Sequence, residues 1–171
     1  MSARVDTAPA ATAAPGPLPR LQPLTVAQVD AIVAVEVRAY AHPWSHGNFV
    51  DSLAAGYVAR VALDDEGLVT GYFIAMPGVD ELHLLNVTVA PEHQGRGHGR
   101  ALLEAVVAEA RARGATRLLL EVRESNLRAR RLYTSRGFAE LGRRRGYYPA
   151  RSGREDALVM SLALEPEHGL D

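Results

Sequence analysis

Two patterns of apolar positions recur along this chain: stripes spaced three or four residues apart, which one face of a helix can bury, and short apolar or β-branched runs bounded by turn residues, which read as strands. A strand near residues 20–24 leads to Thr25, a helix cap by residue type. Val29, Ile32, Val33 and Val37 then line one face of a helix through about residue 40. The break His42-Pro43-Trp44-Ser45 precedes a short helix over 46–55. Runs at 57–63, 68–76 and 81–90, joined by Asp64-Asp65-Glu66-Gly67 and Pro77-Gly78, predict successive antiparallel strands. Leu102, Leu103, Val106, Val107 and Ala110 form the stripe of a core-facing helix that ends at Gly114. A strand at 116–122 follows, then a helix capped by Ser125 or Asn126 and stopped by Gly137. Strands at 138–145 and 157–164 close the pattern, with an irregular link holding Tyr147-Tyr148-Pro149. The order is mixed α/β: about seven strands and about four helices.

Between the strand at 81–90 and the next helix lies a loop with Gly95, Gly97 and Gly99 at alternate positions. Glycines let a ligand approach the backbone, and the helix that opens behind them presents unpaired first-turn amides and a positive dipole end. Arg96 and Arg100 add charge, so the loop reads as a cradle for a pyrophosphate. A nucleoside-triphosphate loop needs Gly-Lys-Ser/Thr, and the chain has no lysine; the G-x-G-x-x-G dinucleotide pattern lacks its third glycine.

With 171 residues and 47% hydrophobic content, the chain can bury one core. Residues 20–165 are expected to form a single domain, 1–19 an Ala/Pro-rich disordered tail without a secretory apolar segment, and 166–171 a flexible end. Without cysteine there are no disulfides, no thiol nucleophile and no cysteine-bound zinc, which is compatible with a reducing cytoplasm. The formal charge of −1 hides an asymmetry. Residues 91–154 hold 15 arginines against 6 acidic residues, and the remainder 4 against 14. That division suits nucleic acid, a polyphosphate coenzyme, or simply solvated helix faces bearing Arg111, Arg113, Arg128 and Arg130.

Glu121 interrupts the apolar run Leu118-Leu119-Leu120-Glu121-Val122, where a partly desolvated carboxylate suits a general base; an ion pair with Arg123 is the plain structural alternative. Tyr133 sits on the helix after it, and Asn126 at that helix's entrance either caps it or donates to a ligand. His42 and His46 have ligand-like spacing, but Pro43 breaks the helix between them. His93 and His98 lack acidic partners at ligand spacing, so no metal is expected. No G-x-S-x-G elbow supports a serine nucleophile.

The stretches HPWS at 42–45, LLNVTVAPEHQGRGHGRALLE at 84–104, LEVRESN at 120–126, LYTSRGF at 132–138 and GYYPARSGREDALVM at 146–160 resemble the RimI group of GCN5-related N-acetyltransferases (GNAT). Members of this group acetylate the N-terminal alanine of small-subunit ribosomal protein S18. Gln94-x-x-Gly97-x-Gly99 is the superfamily's pyrophosphate loop; the other stretches are more specific to the group. The resemblance implies a twisted mixed sheet that splays after the strand at 84–90, with acetyl-coenzyme A as co-substrate and no metal. It implies backbone bonds from Val87, Thr88 and Val89 to the pantetheine arm, a pyrophosphate on Gly95, Arg96, Gly97, His98, Gly99 and Arg100, and a coenzyme contact from Asn126. Glu121 matches the general base and Tyr133 the general acid, while Trp44, Tyr147 and Tyr148 are the expected substrate walls. The implied partner is a ribosomal protein N-terminus, with neither nucleic acid nor membrane contacted directly, and the implied setting is cytoplasmic. The Ala/Pro-rich tail and the pair Gly95-Arg96 depart from the group's usual pattern. Another N-terminus, a small amine, or coenzyme sensing without catalysis are the competing readings.

Overall fold

The structure is a computed structural model that describes residues 19–165; the expected tail before Pro19 and the flexible end at 166–171 lie outside the described residues. Seven strands form one sheet: β1 (Arg20–Pro23), β2 (Val58–Leu63), β3 (Val69–Pro77), β4 (Glu81–Val89), β5 (Arg117–Arg123), β6 (Ala139–Pro149) and β7 (Arg154–Ala163). Their order is β1-β2-β3-β4-β5-β7-β6, and every pairing is antiparallel except β4 with β5. The helices α1 (Val29–Ala39) and α2 (His46–Ala54) cover one face; α3 (His98–Ala112) and α4 (Leu127–Arg136) cover the other. This is the mixed α/β architecture that the sequence pattern predicts. No helix among the described residues is long and apolar enough to cross a membrane.

What positions the site is the way β4 and β5 separate. Their parallel pairing joins Glu81–Leu84 only to Arg117–Leu120, although both strands run on, to Val89 and Arg123. Where the pairing stops, β4 carries a bulge. Ile74 of β3 opposes Asn86 and Ala75 opposes Leu84, so Leu85 is the extra residue. A bulge bends its strand and increases its twist, which turns the rest of β4 away from β5 and opens a wedge between them.

Two expectations need correction. Val37 is exposed, and Glu36 takes the buried position beside Val29, Ile32 and Val35. The stripe counted from valines was off by one because the true stripe contains a carboxylate satisfied within the fold. Glu36 Oε1 accepts the Trp44 N–H at 3.0 Å, and its carboxylate also accepts from the Tyr72 hydroxyl and the Asn86 side-chain amide. Tyr147-Tyr148-Pro149 belongs to β6 instead of an irregular link, and β7 begins at Arg154. The alternation was masked by a second irregularity, between Arg144 and Tyr148, where Gly146 turns at φ 59° and its N–H donates to Asp156 at 2.8 Å.

Candidate active site

Glu121 follows the last parallel pair on β5, at the start of the wedge. Leu118, Leu120 and Val122 point into the core under α3 and α4, so the strand's two-residue period turns Glu121 toward the α1 and α2 face. There its side chain is only 2% exposed. Oε1 lies 3.3 Å from Arg144 Nε and 3.8 Å from His83 Nε2, whereas Oε2 has no hydrogen-bond partner among the described residues. Tyr147 completes the surround: burial, and then the charge of Glu121, push its hydroxyl above its usual range. The alternative ion pair with Arg123 does not form. Arg123 instead pairs with Glu155 at 3.2 Å and donates to the Pro149 carbonyl.

Tyr133 approaches from the other face of the sheet. It is fully buried on α4, its ring 5.5 Å from Phe138, and its hydroxyl has no hydrogen-bond partner among the described residues. Burial first, and then the neighbouring Tyr148, hold that hydroxyl well above its usual range, so it keeps its proton. A buried carboxylate and a buried phenol therefore lie on opposite faces of the sheet.

The glycine loop has the geometry of an anion site. Gly97 is the residue ahead of α3, held left-handed at φ 86°, and no side chain caps the helix's first-turn amides. A Cβ at Gly97 would meet nothing within 4 Å, and one at Gly99 only Leu132 and Val89 at 3.8 Å. The space in front is a cleft of about 250 Å³ lined by residues including Gly95, Gly97, Gly99, Arg100 and Arg128. Gln94 ties the loop back to β4, its side-chain amide donating to the Val89 carbonyl at 3.2 Å. These groups fit a pyrophosphate: open backbone donors, two guanidinium groups and room. Arg96 is exposed outside the cleft lining, and His98 turns inward to stack on His93 at 5.4 Å.

A larger cleft of about 550 Å³ lies farther along the wedge, lined among others by Tyr40, Asn126, Arg128, Tyr148 and Glu155. Asn126 caps α4, its side-chain oxygen accepting the Ala129 N–H at 3.2 Å, and lines this cleft as well. Val87, Thr88 and Val89 form the β4 side of the wedge. The Tyr40 hydroxyl reaches across to the Val87 carbonyl at 3.0 Å and the Thr88 hydroxyl at 2.8 Å. Tyr148 lines the larger cleft and Tyr147 faces Glu121, whereas Trp44 packs into the core. It is 7% exposed, packed 5.2 Å from Phe49, and lines neither cleft. Its indole belongs to the cluster between the sheet and α1 and α2.

Sequence reading missed His83, Tyr40, Arg128 and Arg144. Arg128 has the local signature of a solvated helix position, yet it borders both clefts. His83 is separated from Glu121 by 38 residues and meets it only through the parallel pairing of β4 with β5. No local signal distinguishes either. The acidic pair Glu155-Asp156 had no role in the sequence, and the fold gives it one. Glu155 accepts from the Ser125 N–H at 2.7 Å and Asp156 from the Gly146 N–H, so together they pin the loop before α4 and the turn of β6 to β7.

Comparison with known proteins bears on this geometry. Residues 29–138 match the model of the Acetyltransferase (GNAT) family. The chain is 40% identical over 141 residues to the ribosomal protein bS18-alanine N-acetyltransferase of Escherichia coli K12, covering 82% of this chain and 95% of that protein. It is 35% identical to the enzyme of the same name from Haemophilus ducreyi, covering 82% and 98%. The fold is similar to the crystal structure of the Escherichia coli ribosomal-protein-S18-alanine N-acetyltransferase, with a TM-score of 0.80 at 36% identity over 90% of this chain and all of that one.

Proposed function

This chain belongs to the GCN5-related N-acetyltransferase family, and we propose that it transfers an acetyl group from acetyl-coenzyme A to the α-amino group of an N-terminal alanine, that of ribosomal protein bS18 foremost. The substrate reading draws on the names of relatives that match over most of their length. Cleft charge does not add to it: Arg123, Arg128 and Arg151 outnumber Glu155 around the larger cleft, which favours the phosphates of a coenzyme over a basic peptide.

The observation that carries the chemistry is the pair of groups on either side of the wedge. The coenzyme supplies an activated acetyl thioester. The amides of residues 95–100 and the Arg100 guanidinium would hold its pyrophosphate, Asn126 and the β4 backbone its arm, and the wedge would admit the thioester between the faces. An N-terminal ammonium must lose a proton before its nitrogen can attack. The Glu121 carboxylate, sealed from water and with one oxygen open, accepts that proton. The departing thiolate must gain one, and the Tyr133 hydroxyl, kept protonated by burial, donates it.

The test is a panel of N-terminal peptides assayed with acetyl-coenzyme A. Glu121→Gln and Tyr133→Phe should each lower turnover by roughly 10² to 10⁴, the usual contribution of a general acid or base, with coenzyme affinity nearly intact. Near wild-type turnover in a folded Glu121→Gln enzyme would place the base elsewhere. Faster acetylation of free polyamines than of any alanine-initiated peptide would remove the substrate assignment.

A further inference from the structure

A base sealed from solvent must pass its proton on before the next turnover. Among the described residues, three side chains face the Glu121 carboxylate. Arg144 presents a guanidinium, which donates hydrogen bonds and has no lone pair to offer. Tyr147 already carries its proton, because burial and the Glu121 charge push its hydroxyl upward. His83 differs from both. Burial lowers it from its ordinary 6.5, against the pull of Glu121 and with the push of Arg144, so that near neutral pH it is an uncharged acceptor. Glu81, a further charged neighbour among the described residues, favours the protonated form as Glu121 does. His83 Nε2 is buried without a hydrogen-bond partner among the described residues, yet the side chain as a whole is 20% exposed against 2% for Glu121. It thus bridges the sealed carboxylate and solvent. The 3.8 Å between Nε2 and Oε1 exceeds hydrogen-bond reach and suits one bridging water.

We propose that His83 is the proton exit of this active site, relaying through one water the proton that Glu121 takes from the substrate amine. The inference rests on the reading of Glu121 as the base. In the first step an ammonium N–H bond breaks and an O–H bond forms on Glu121. The electron pair left on nitrogen forms the bond to the acetyl carbon, the C–S bond breaks with its pair leaving on the thiolate, the thiolate takes the Tyr133 proton, and the nitrogen's second proton restores the phenol. In the second, the Glu121 O–H bond breaks, the bridging water passes a proton, and an N–H bond forms at His83 Nε2. The imidazolium then returns its proton to solvent, leaving the carboxylate and the neutral ring as they began.

The experiment compares the full-length enzyme with its His83→Gln variant at saturating acetyl-coenzyme A and alanine-initiated peptide, in a bulky buffer with and without added imidazole. Turnover of His83→Gln should fall by about tenfold or more and rise again with imidazole, which can enter and accept the proton. The peptide KM and coenzyme affinity should stay within about twofold, since the lost step follows binding. Wild-type turnover should be indifferent to imidazole. Undiminished turnover of His83→Gln, or a loss that imidazole does not restore, would overturn the relay. Glu121→Gln separates the two readings: near wild-type turnover there defeats the base assignment, whereas a slow Glu121→Gln beside a fast His83→Gln defeats the relay alone. Should His83→Gln fail to fold, histidine side-chain NMR decides. His83 should titrate at lower pH in Glu121→Gln than in wild type, because the carboxylate that favours the imidazolium is gone, and an unchanged titration would overturn the pairing.

Discussion

Replacing Glu36 by leucine tests how the wedge is held open. Glu36 is completely buried, and its two oxygens serve the Trp44 backbone N–H, the Tyr72 hydroxyl and the Asn86 amide. Asn86 is the residue after the β4 bulge, and its Oδ1 accepts from Thr88 at 2.7 Å, so one carboxylate joins α1, the Trp44 loop and the bent part of β4. Leucine deletes every acceptor at once. Each stranded buried donor costs about 1–3 kcal/mol and the added apolar side chain returns about 1–2 kcal/mol, so three donors give a net loss of about 4–5 kcal/mol at mid-range, between limits of about 1 and 8 kcal/mol. Urea unfolding should report this as a lower midpoint at unchanged slope. Adding Tyr72→Phe removes one stranded donor, so the double variant should recover about 1–2 kcal/mol relative to the sum of the single changes. Glu36→Gln, which keeps one oxygen, should fall between wild type and Glu36→Leu. A Glu36→Leu protein within about 1 kcal/mol of wild type, or strict additivity with Tyr72→Phe, would show that this network does not hold the bend.

The glycine loop and two other points of the fold yield further tests. Valine at both Gly97 and Gly99 should abolish coenzyme binding measured by calorimetry while the domain stays folded, because the added side chains fill the space before the first-turn amides and a β-branched residue strains the left-handed turn at Gly97; unchanged affinity would remove the pyrophosphate assignment. Gly71→Ala should cost about 1–3 kcal/mol in chemical denaturation, since its Cβ would lie 2.7 Å from the Thr88 carbonyl and 3.0 Å from Leu102, and a cost below about 0.5 kcal/mol would mean the strands yield freely. Glu155 is subject to burial, which raises it, but its bonds from Ser125 and Arg123 prevail and hold it below its ordinary 4.5. A lowered folded value means stability that is present above 4.5 and lost as the pH falls through the folded value. Glu155→Gln should therefore lower Tm at neutral pH by an amount that shrinks on acidification; a difference independent of pH would contradict this.

The sequence by itself determined the elements whose signals are local. The three alternate glycines before α3, the cap at Asn126, the left-handed stops at Gly114 and Gly137, and the strand periods all follow from backbone sterics and from the spacing of apolar side chains. Glu121 also stands out locally, as a carboxylate within an apolar strand, whereas Tyr133 carries no local signal and is marked only by the resemblance of its motif to the family's. Tertiary structure decided what depends on pairing. Val37 and Glu36 exchange places because a buried carboxylate is tolerable only where three donors, two of them on other strands, converge on it. The wedge exists because Leu85 is an extra residue against β3, a feature of register that no single strand reveals. His83 meets Glu121 by the same logic. Parallel pairing of β4 with β5 sets His83 opposite Leu119, and the two-residue period carries Glu121 to the same face. A residue's chemistry is written in its own side chain, but its partner is set by strand register, which arises only when the whole sheet assembles.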